Sequence, residues 1–282
     1  MASSPYSLAS TIKVGAISMP RIHLGVYMTS GNETSSAVAM ALDAGYRAID
    51  SAEMYRNERE VGSAIRKYLA SSQLQRSDIW FTTKLANNTS YDATRKAIKE
   101  SIRKSGMEYL DLYLIHSPYG GREKRLECWK AVEDAIKEGE VRVGGVSNFG
   151  VRHLQELLDS KPRVLPAINQ IEVHPFNTQT DITSFCAKHG IVIEAYAPLA
   201  RALRFKHPTI VKLSKKYECT PAQLMVRWSL QHGYVPLPKS VTKERIIANG
   251  HVEHIEISAE DMKTMDGLDE HLVTDWDPTD AP

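Results

Sequence analysis

The stretch IDSAEMYRNEREVG, residues 49–62, sets a carboxylate, Asp50, and a phenol, Tyr55, five positions apart in a segment too polar for a core. An ammonium, Lys84, and an imidazole, His116, close the later runs DIWFTTK and LDLYLIH. A phenol ionises with a pKa of about 10, so at neutral pH it has a proton to donate. A cation beside it stabilises the phenolate and lowers that value by about one to three units. Lys84 suits the part of that cation, Asp50 that of holding Lys84 charged, and His116 that of orienting a substrate oxygen. An acid aimed at an oxygen suits carbonyl reduction, where charge builds on oxygen as hydride reaches carbon. No side chain supplies hydride, so this chemistry requires a nicotinamide cofactor. Each residue alone also has a structural reading. Asp50 could cap a helix beside a surface tyrosine, Lys84 could be a strand-end cation, and His116 a satisfied core imidazole.

What must position these groups is a regular scaffold. Eight short apolar runs recur at 21–27, 46–50, 78–84, 110–116, 141–147, 167–173, 191–196 and 234–238. Most are nearly continuous rather than alternating, as strands buried on both faces are. Helical spacing fills the intervals: Trp129, Val132 and Ile136 in one, Ile98 and Ile102 in another. Gly45, Gly106, Gly139, Gly190 and Gly233 stop several of these segments. The rhythm predicts a (β/α)8 TIM barrel with two extra helices, one near 208–217 and one near 259–268. A doubly wound open sheet competes, but it carries fewer strands and an early GxGxxG, which VGGVSNFG does not match. In a barrel, chemistry gathers where strands end. Asp50, Lys84, His116 and Tyr196 end runs, while Ser147 with Asn148 and Lys239 with Ser240 lie at or just past the ends of two more.

Bulk properties narrow the partners. The chain has 282 residues, 42% hydrophobic and 24% charged, with a formal net charge of +1. That balance gives no electrostatic case for nucleic acid or a membrane surface. Three cysteines, with no CxxC pair, fit neither a disulfide framework nor a zinc site. MASSPYSLASTIKVG lacks the apolar core of a signal peptide, and no apolar run spans a membrane. A cytoplasmic, monomeric protein without a metal is expected. It is read as one domain over 1–282, with residues 269–282 as a C-terminal tail over the barrel mouth.

Five blocks, in order and at barrel spacing, carry a resemblance. DSAEMYRNEREVG resembles the D-x-A-x-x-Y-x-N-E-x-x-V-G of the aldo-keto reductase superfamily. LDLYLIHSP, GGVSNF, NQIEVHP with YAPL, and PKSVTKERIIAN are similar to its later motifs, over about residues 15–278. The resemblance implies a catalytic tetrad of Asp50, Tyr55, Lys84 and His116, with Tyr55 as acid in reduction and base in the reverse reaction. It implies that Ser147, Asn148 and Gln170 hold a nicotinamide carboxamide, whose planar amide their donors and acceptors suit. Tyr196 matches the ring stacked on nicotinamide, and Asn249 a position near the adenine. Leu199 and Val241 fall among the implied cofactor contacts. His174, in EVHP, reads as structural.

Lys239, Ser240, Thr242 and Arg245 offer two cations and two hydroxyls within seven residues. They suit an adenosine 2′-phosphate, which favours NADPH over NADH, although a solvated helix start would look the same. Some positions depart from the family pattern. Ala248 stands where many relatives have Glu, Tyr27 and Ala86 where many have Trp. Loss of an indole at Ala86 should widen the pocket, for which Tyr119 and Trp276 are candidate walls. The short connection after Tyr196 leaves no room for a long cofactor-covering loop and predicts freer cofactor exchange. The expected partner is a small-molecule carbonyl. Two other functions compete: a cofactor-binding regulatory or structural member without turnover, and a lyase using Lys84 as a Schiff-base amine. Asp50 argues against the lyase, since a carboxylate keeps Lys84 charged and non-nucleophilic.

Overall fold

The apolar runs fold as eight parallel strands with helices between them; the computed structural model describes residues 6–282. Ahead of the barrel lies a hairpin that the apolar pattern does not announce. It pairs β1 (Thr11–Val14) with β2 (Ile17–Pro20). Its buried side chains, Val14 and Met19, pack against Ala48, Trp80, Leu112, Val143, Ile168 and Val235 from the barrel strands. The hairpin therefore plugs the end of the barrel opposite the mouth. With only two buried apolar residues, it leaves little periodicity to read.

The barrel strands are β3 (Leu24–Gly25), β4 (Ala48–Asp50), β5 (Trp80–Leu85) and β6 (Leu110–Ile115). They continue as β7 (Val141–Ser147), β8 (Ile168–Glu172), β9 (Val192–Tyr196) and β10 (Val235–Pro236). Neighbours pair in sequence order. The ring closes through His23 N to Pro236 O and Gly25 N to Pro238 O, each 3.2 Å, and a parallel bridge from Gly25 to Lys239. Every residue of β5 and β6 is buried, which is why those runs read as unbroken apolar stretches.

Outside run α1 (Gly31–Asp43), α2 (Glu58–Ala70), α3 (Tyr91–Ser105), α4 (Arg122–Lys137), α5 (Val151–Asp159) and α6 (Thr180–Lys188). The chain goes on through α7 (Pro208–Lys216), α8 (Pro221–Gln231), α9 (Lys243–Gly250) and α10 (Ala259–Asp266). The two helices beyond the eight-fold count, α7 and α10, stand where the sequence places them. Local chemistry sets the ends. Ser90 accepts from Ala93 N to cap α3, and Thr220 and Gln223 cap α8 reciprocally, with Pro221 at the first turn.

Packing explains the helical stripes. The row Trp129, Val132 and Ile136 on α4 lies on Gly144 of β7, where an added Cβ would come within 2.8 Å of Val132 and 3.0 Å of Ile136. Gly62 of α2 lies against the Ser105 carbonyl of α3, at 1.8 Å from where a Cβ would stand. Among the described residues no helix is long and apolar enough to cross a membrane. Cys128 and Cys186 are buried free thiols, and Cys219 is half-buried and free.

After α10 the chain crosses the barrel mouth. Glu270 N and Leu272 N donate to Phe176 O at 3.2 and 2.9 Å, and Thr274 donates to Glu172 Oε1 from both its amide and its hydroxyl. Farther on, the Ala281 carbonyl meets His153 Nε2 at 2.6 Å and Arg125 donates to Pro282 O at 3.0 Å. His174, bonded to Glu172 at 3.1 Å and fully buried, braces the same corner, in keeping with its structural reading.

Candidate active site

The strand ends bring the four polar residues together. Lys84 is wholly buried at the end of β5, and its ammonium directs its donors at three oxygens. These are Asp50 Oδ1 at 2.6 Å, Ser51 O at 2.7 Å and the Tyr55 hydroxyl at 3.4 Å. Asp50 is therefore an ion-pair partner and not a helix cap. Tyr55 rides on a 3₁₀ turn, Glu53–Tyr55, that ends at Arg56 in the left-handed region. Buried Asn57 pins this turn: its amide donates to Val26 O at 2.9 Å and Thr29 O at 3.1 Å and accepts from Ser51 Oγ at 2.7 Å. Glu53 adds a bond from Ala86 N at 3.1 Å, tying the turn to the end of β5.

His116, just past β6, closes the group, its ring 5.8 Å from that of Tyr55 and nearly perpendicular to it. Burial, with Lys84 adding to it, pushes this imidazole down to about 3. It is neutral at physiological pH, and its Nδ1 is buried without a partner. A neutral ring keeps one N–H to offer an oxygen.

The expected lowering of the Tyr55 pKa is not what the resting site displays. Burial first, then the negative charge of Asp50, holds the phenol well above its usual range. Lys84 is close, but its charge is largely matched by Asp50. The phenol therefore holds its proton firmly.

Beside the tetrad, Ser147 Oγ donates to Gln170 O at 2.8 Å, and Asn148 Nδ2 donates to His116 O at 2.9 Å. Tyr196 donates its hydroxyl to Asn148 Oδ1 at 2.8 Å. Ser147, Asn148 and Gln170 thus stand together with Tyr196 at one side of the mouth, a donor and acceptor set that fits a planar carboxamide. Between Tyr196 and the tail lies a narrow crevice lined in part by Asn148, Glu172, Trp276 and Thr279. Half-buried Leu199 follows Tyr196 in the chain.

The segment expected to meet the far end of a cofactor lies past β10. Ser240 Oγ accepts from Thr242 N at 3.1 Å and forms a turn into α9, with half-buried Val241 between them. Lys239 and Arg245 are exposed, and neither forms an ion pair with another described residue. Two uncommitted cations beside a helix N-terminus fit a phosphate. Asn249 is buried on the same helix, next to half-buried Ala248.

The pocket candidates also meet. Tyr27 lies 5.0 Å from Tyr55, and Trp276 lies 6.0 Å from His116 and 5.8 Å from Tyr119, ring to ring. Ala86 is half-buried behind the Tyr55 turn. Sequence reasoning missed three contributors. Arg201, in the short connection after β9, pairs with Asp275 of the tail at 3.0 Å and sits 5.8 Å from the Tyr27 ring. Fully buried His23 and Glu194 lie in the barrel interior. Glu194 was legible as an acid inside the apolar run IVIEAY; Arg201 left no signal beyond its charge.

The chain matches the family described as Aldo/keto reductase family over residues 21–270. An uncharacterised oxidoreductase of Schizosaccharomyces pombe is 44% identical over 276 residues, covering 98% of this chain and 99% of that protein. Glyoxal reductase of Bacillus subtilis is 39% identical, with 94% of each chain covered. A Bombyx mori aldo-keto reductase solved in complex with NADP superposes with a TM-score of 0.89 at 31% identity, covering 94% of each chain.

Proposed function

The chain belongs to the aldo/keto reductase family, an oxidoreductase lineage of carbonyl chemistry, and on that premise we propose that it reduces an aldehyde or ketone to the alcohol with NADPH and a proton from Tyr55. The observation that carries the reading is the convergence of Lys84 Nζ on Asp50 and Tyr55. A bound NADPH supplies the hydride. Tyr55 gives its proton to the carbonyl oxygen as charge develops there. Lys84, fixed by Asp50 and the Ser51 carbonyl, steadies the phenolate that remains. Neutral His116 donates a hydrogen bond to the same oxygen and sets which face of the carbonyl is presented.

Ser147, Asn148 and Gln170 are the residues that would hold the carboxamide, with Tyr196 against the ring and Leu199 alongside. Lys239, Ser240, Thr242 and Arg245 would hold the 2′-phosphate, with Val241 and Asn249 completing the nucleotide end. The Bombyx relative bound to NADP supports this choice of cofactor.

The rim supports bulky, apolar carbonyls. Tyr27, Met28, Met54, Tyr119 and Leu203 are exposed large apolar side chains on the loops that follow the strands. Ala86 leaves space beside them, and Trp276 walls the far side. Steady-state oxidation of NADPH, with NADH in parallel, over a panel from small dicarbonyls to aromatic ketones tests the reading. Turnover favouring NADPH and larger apolar substrates is expected. Tight NADPH binding with no turnover on any member would refute it in favour of a regulatory role.

A further inference from the structure

The polar cluster behind Tyr55 holds one more acid than the proposed proton transfer uses. Glu194 of β9 is fully buried, and the Gln170 amide nitrogen donates to Glu194 Oε2 at 2.7 Å and to Asp50 Oδ2 at 2.9 Å. One amide thus couples two carboxyls, yet only Asp50 has the lysine. The other Glu194 oxygen, Oε1, faces His23 Nδ1 at 3.6 Å. Both atoms are buried, and neither has a hydrogen-bond partner.

The tautomer of His23 decides what lies between them. Its Nε2 is 3.0 Å from the Pro20 carbonyl, which only accepts, so in the neutral ring Nε2 carries the hydrogen and Nδ1 is a lone pair. A lone pair facing a carboxylate oxygen in a dry interior leaves two acceptors unsatisfied. A proton on Oε1 removes the charge that faces the lone pair and leaves Oε2 free to accept from Gln170.

The surrounding charges agree. Asp50 faces this cluster from β4, Lys84 from β5, and His23 from the segment before β3; β8 contributes the uncharged Gln170. On β10 the register partner of Glu194 is Val235. A single ammonium among two ionised carboxylates would leave a net buried negative charge. Burial and then Asp50 push the Glu194 carboxyl up to about 8, while burial takes His23 down to about 3.

We infer that Glu194 keeps its proton at neutral pH, on the oxygen that faces the His23 Nδ1 lone pair, and so leaves Asp50 the sole anion at Lys84. Glu194 and His23 are then positioning residues for Tyr55, an inference whose catalytic half rests on the reading of Tyr55 as proton donor. When Glu194 ionises, a second anion reaches the Lys84 group and makes the phenol a still weaker acid, so reduction slows.

Infrared spectroscopy of the full chain with 13C-labelled glutamate reads the proton directly, without turnover. Titrated from about pH 6 to about pH 10, the protonated-carboxyl stretch should vanish with a midpoint near 8. Glu194→Gln should abolish the band; its amide oxygen still accepts from Gln170, and its uncharged NH2 replaces the carboxyl facing His23 Nδ1. His23→Leu, which removes the lone pair facing Oε1, should shift the band to higher frequency. Absence of the band in the wild-type chain near neutral pH would overturn the inference, as would its persistence in Glu194→Gln. The kcat profile tests the positioning role: wild type should lose activity through the same midpoint, and Glu194→Gln should lose that limb. An unchanged limb would overturn the role. A titrating band in a chain that reduces no carbonyl would support the proton's place on Glu194 while refuting the reductase reading alone.

Discussion

Lys84 Nζ lies 3.4 Å from the hydroxyl of Tyr55, a residue 29 positions earlier in the chain and on a different strand's loop. Nothing local produces that distance. It follows from β4 and β5 pairing in register, Asp50 opposite Thr82, with Asn57 holding the turn between β4 and α2. The phenol and the ammonium, proposed as the proton source and the cation that steadies its loss, are thereby held together by the fold itself, which is the condition for electrostatic preorganisation.

Removing the Tyr55 hydroxyl removes the proposed acid and little else. Tyr55→Phe is expected to lower kcat by roughly 10²- to 10⁴-fold, the span of a general acid's contribution. NADPH affinity should hold, because none of the proposed cofactor contacts is touched. Single-turnover kinetics and fluorescence titration separate the two, and a variant with the parent rate would remove Tyr55 from the role.

Lys84→Met strands Asp50 as a buried carboxylate with no cation. Breaking such a pair from one side costs about 3–5 kcal/mol. The double variant Asp50→Asn/Lys84→Met should recover most of that stability but none of the turnover. Urea denaturation with the linear extrapolation measures the difference, and additive losses in the double variant would contradict the coupling.

Lys239→Ala and Arg245→Ala should weaken NADPH binding by roughly 10-fold each and leave NADH almost unchanged, since a hydrogen bond to a charged group contributes about 1.5–3 kcal/mol and both side chains are exposed. The loss should shrink as salt rises, because screening already weakens the wild-type contact. Equal losses for both cofactors would place the phosphate elsewhere.

Much of this was readable in advance. β5 through β9 announce themselves because strands buried on both faces leave unbroken apolar runs, and Asp50, Lys84 and His116 stand where apolar runs end, with Tyr55 in the turn just past one. The β1–β2 hairpin escaped because it buries only Val14 and Met19. The raised phenol of Tyr55 escaped for another reason: charge types are in the sequence, but the burial that outweighs Lys84 arises only once the barrel closes. His23 and Glu194 are 171 positions apart and meet only across that closure. The Arg201–Asp275 pair likewise depends on how the tail crosses the mouth.

Gly62→Ala should be disproportionately costly for so small a change. The new Cβ would stand 1.8 Å from the Ser105 carbonyl oxygen, a backbone atom that cannot rotate away, so α2 and α3 must separate. Overpacking of this kind costs about 1–3 kcal/mol or more. The shift would also tug the Asn57 end of α2 and hence the Tyr55 turn. A lowered Tm with a smaller drop in kcat is expected, and a Tm within error of the parent would mean the two helices are not in contact there.

The stability of the folded chain should peak near pH 6.5 for reasons that can be signed group by group. His23 and His116, ordinarily at 6.5, are pushed down to about 3 by burial. Between those values the unfolded chain binds more protons, so stability falls as pH drops below 6.5. Glu194 runs the other way: its value rises from 4.5 to about 8, the folded chain binds more protons between them, and stability falls as pH climbs toward 8. Below 6.5 the two histidines outweigh Glu194; above it Glu194 acts alone of the three. Thermal melts across this range should therefore give a maximum, and Glu194→Gln should flatten its alkaline side and steepen its acid side, where Glu194 no longer opposes the histidines. A Tm that kept rising through pH 8 would show that Glu194 holds no proton in the fold.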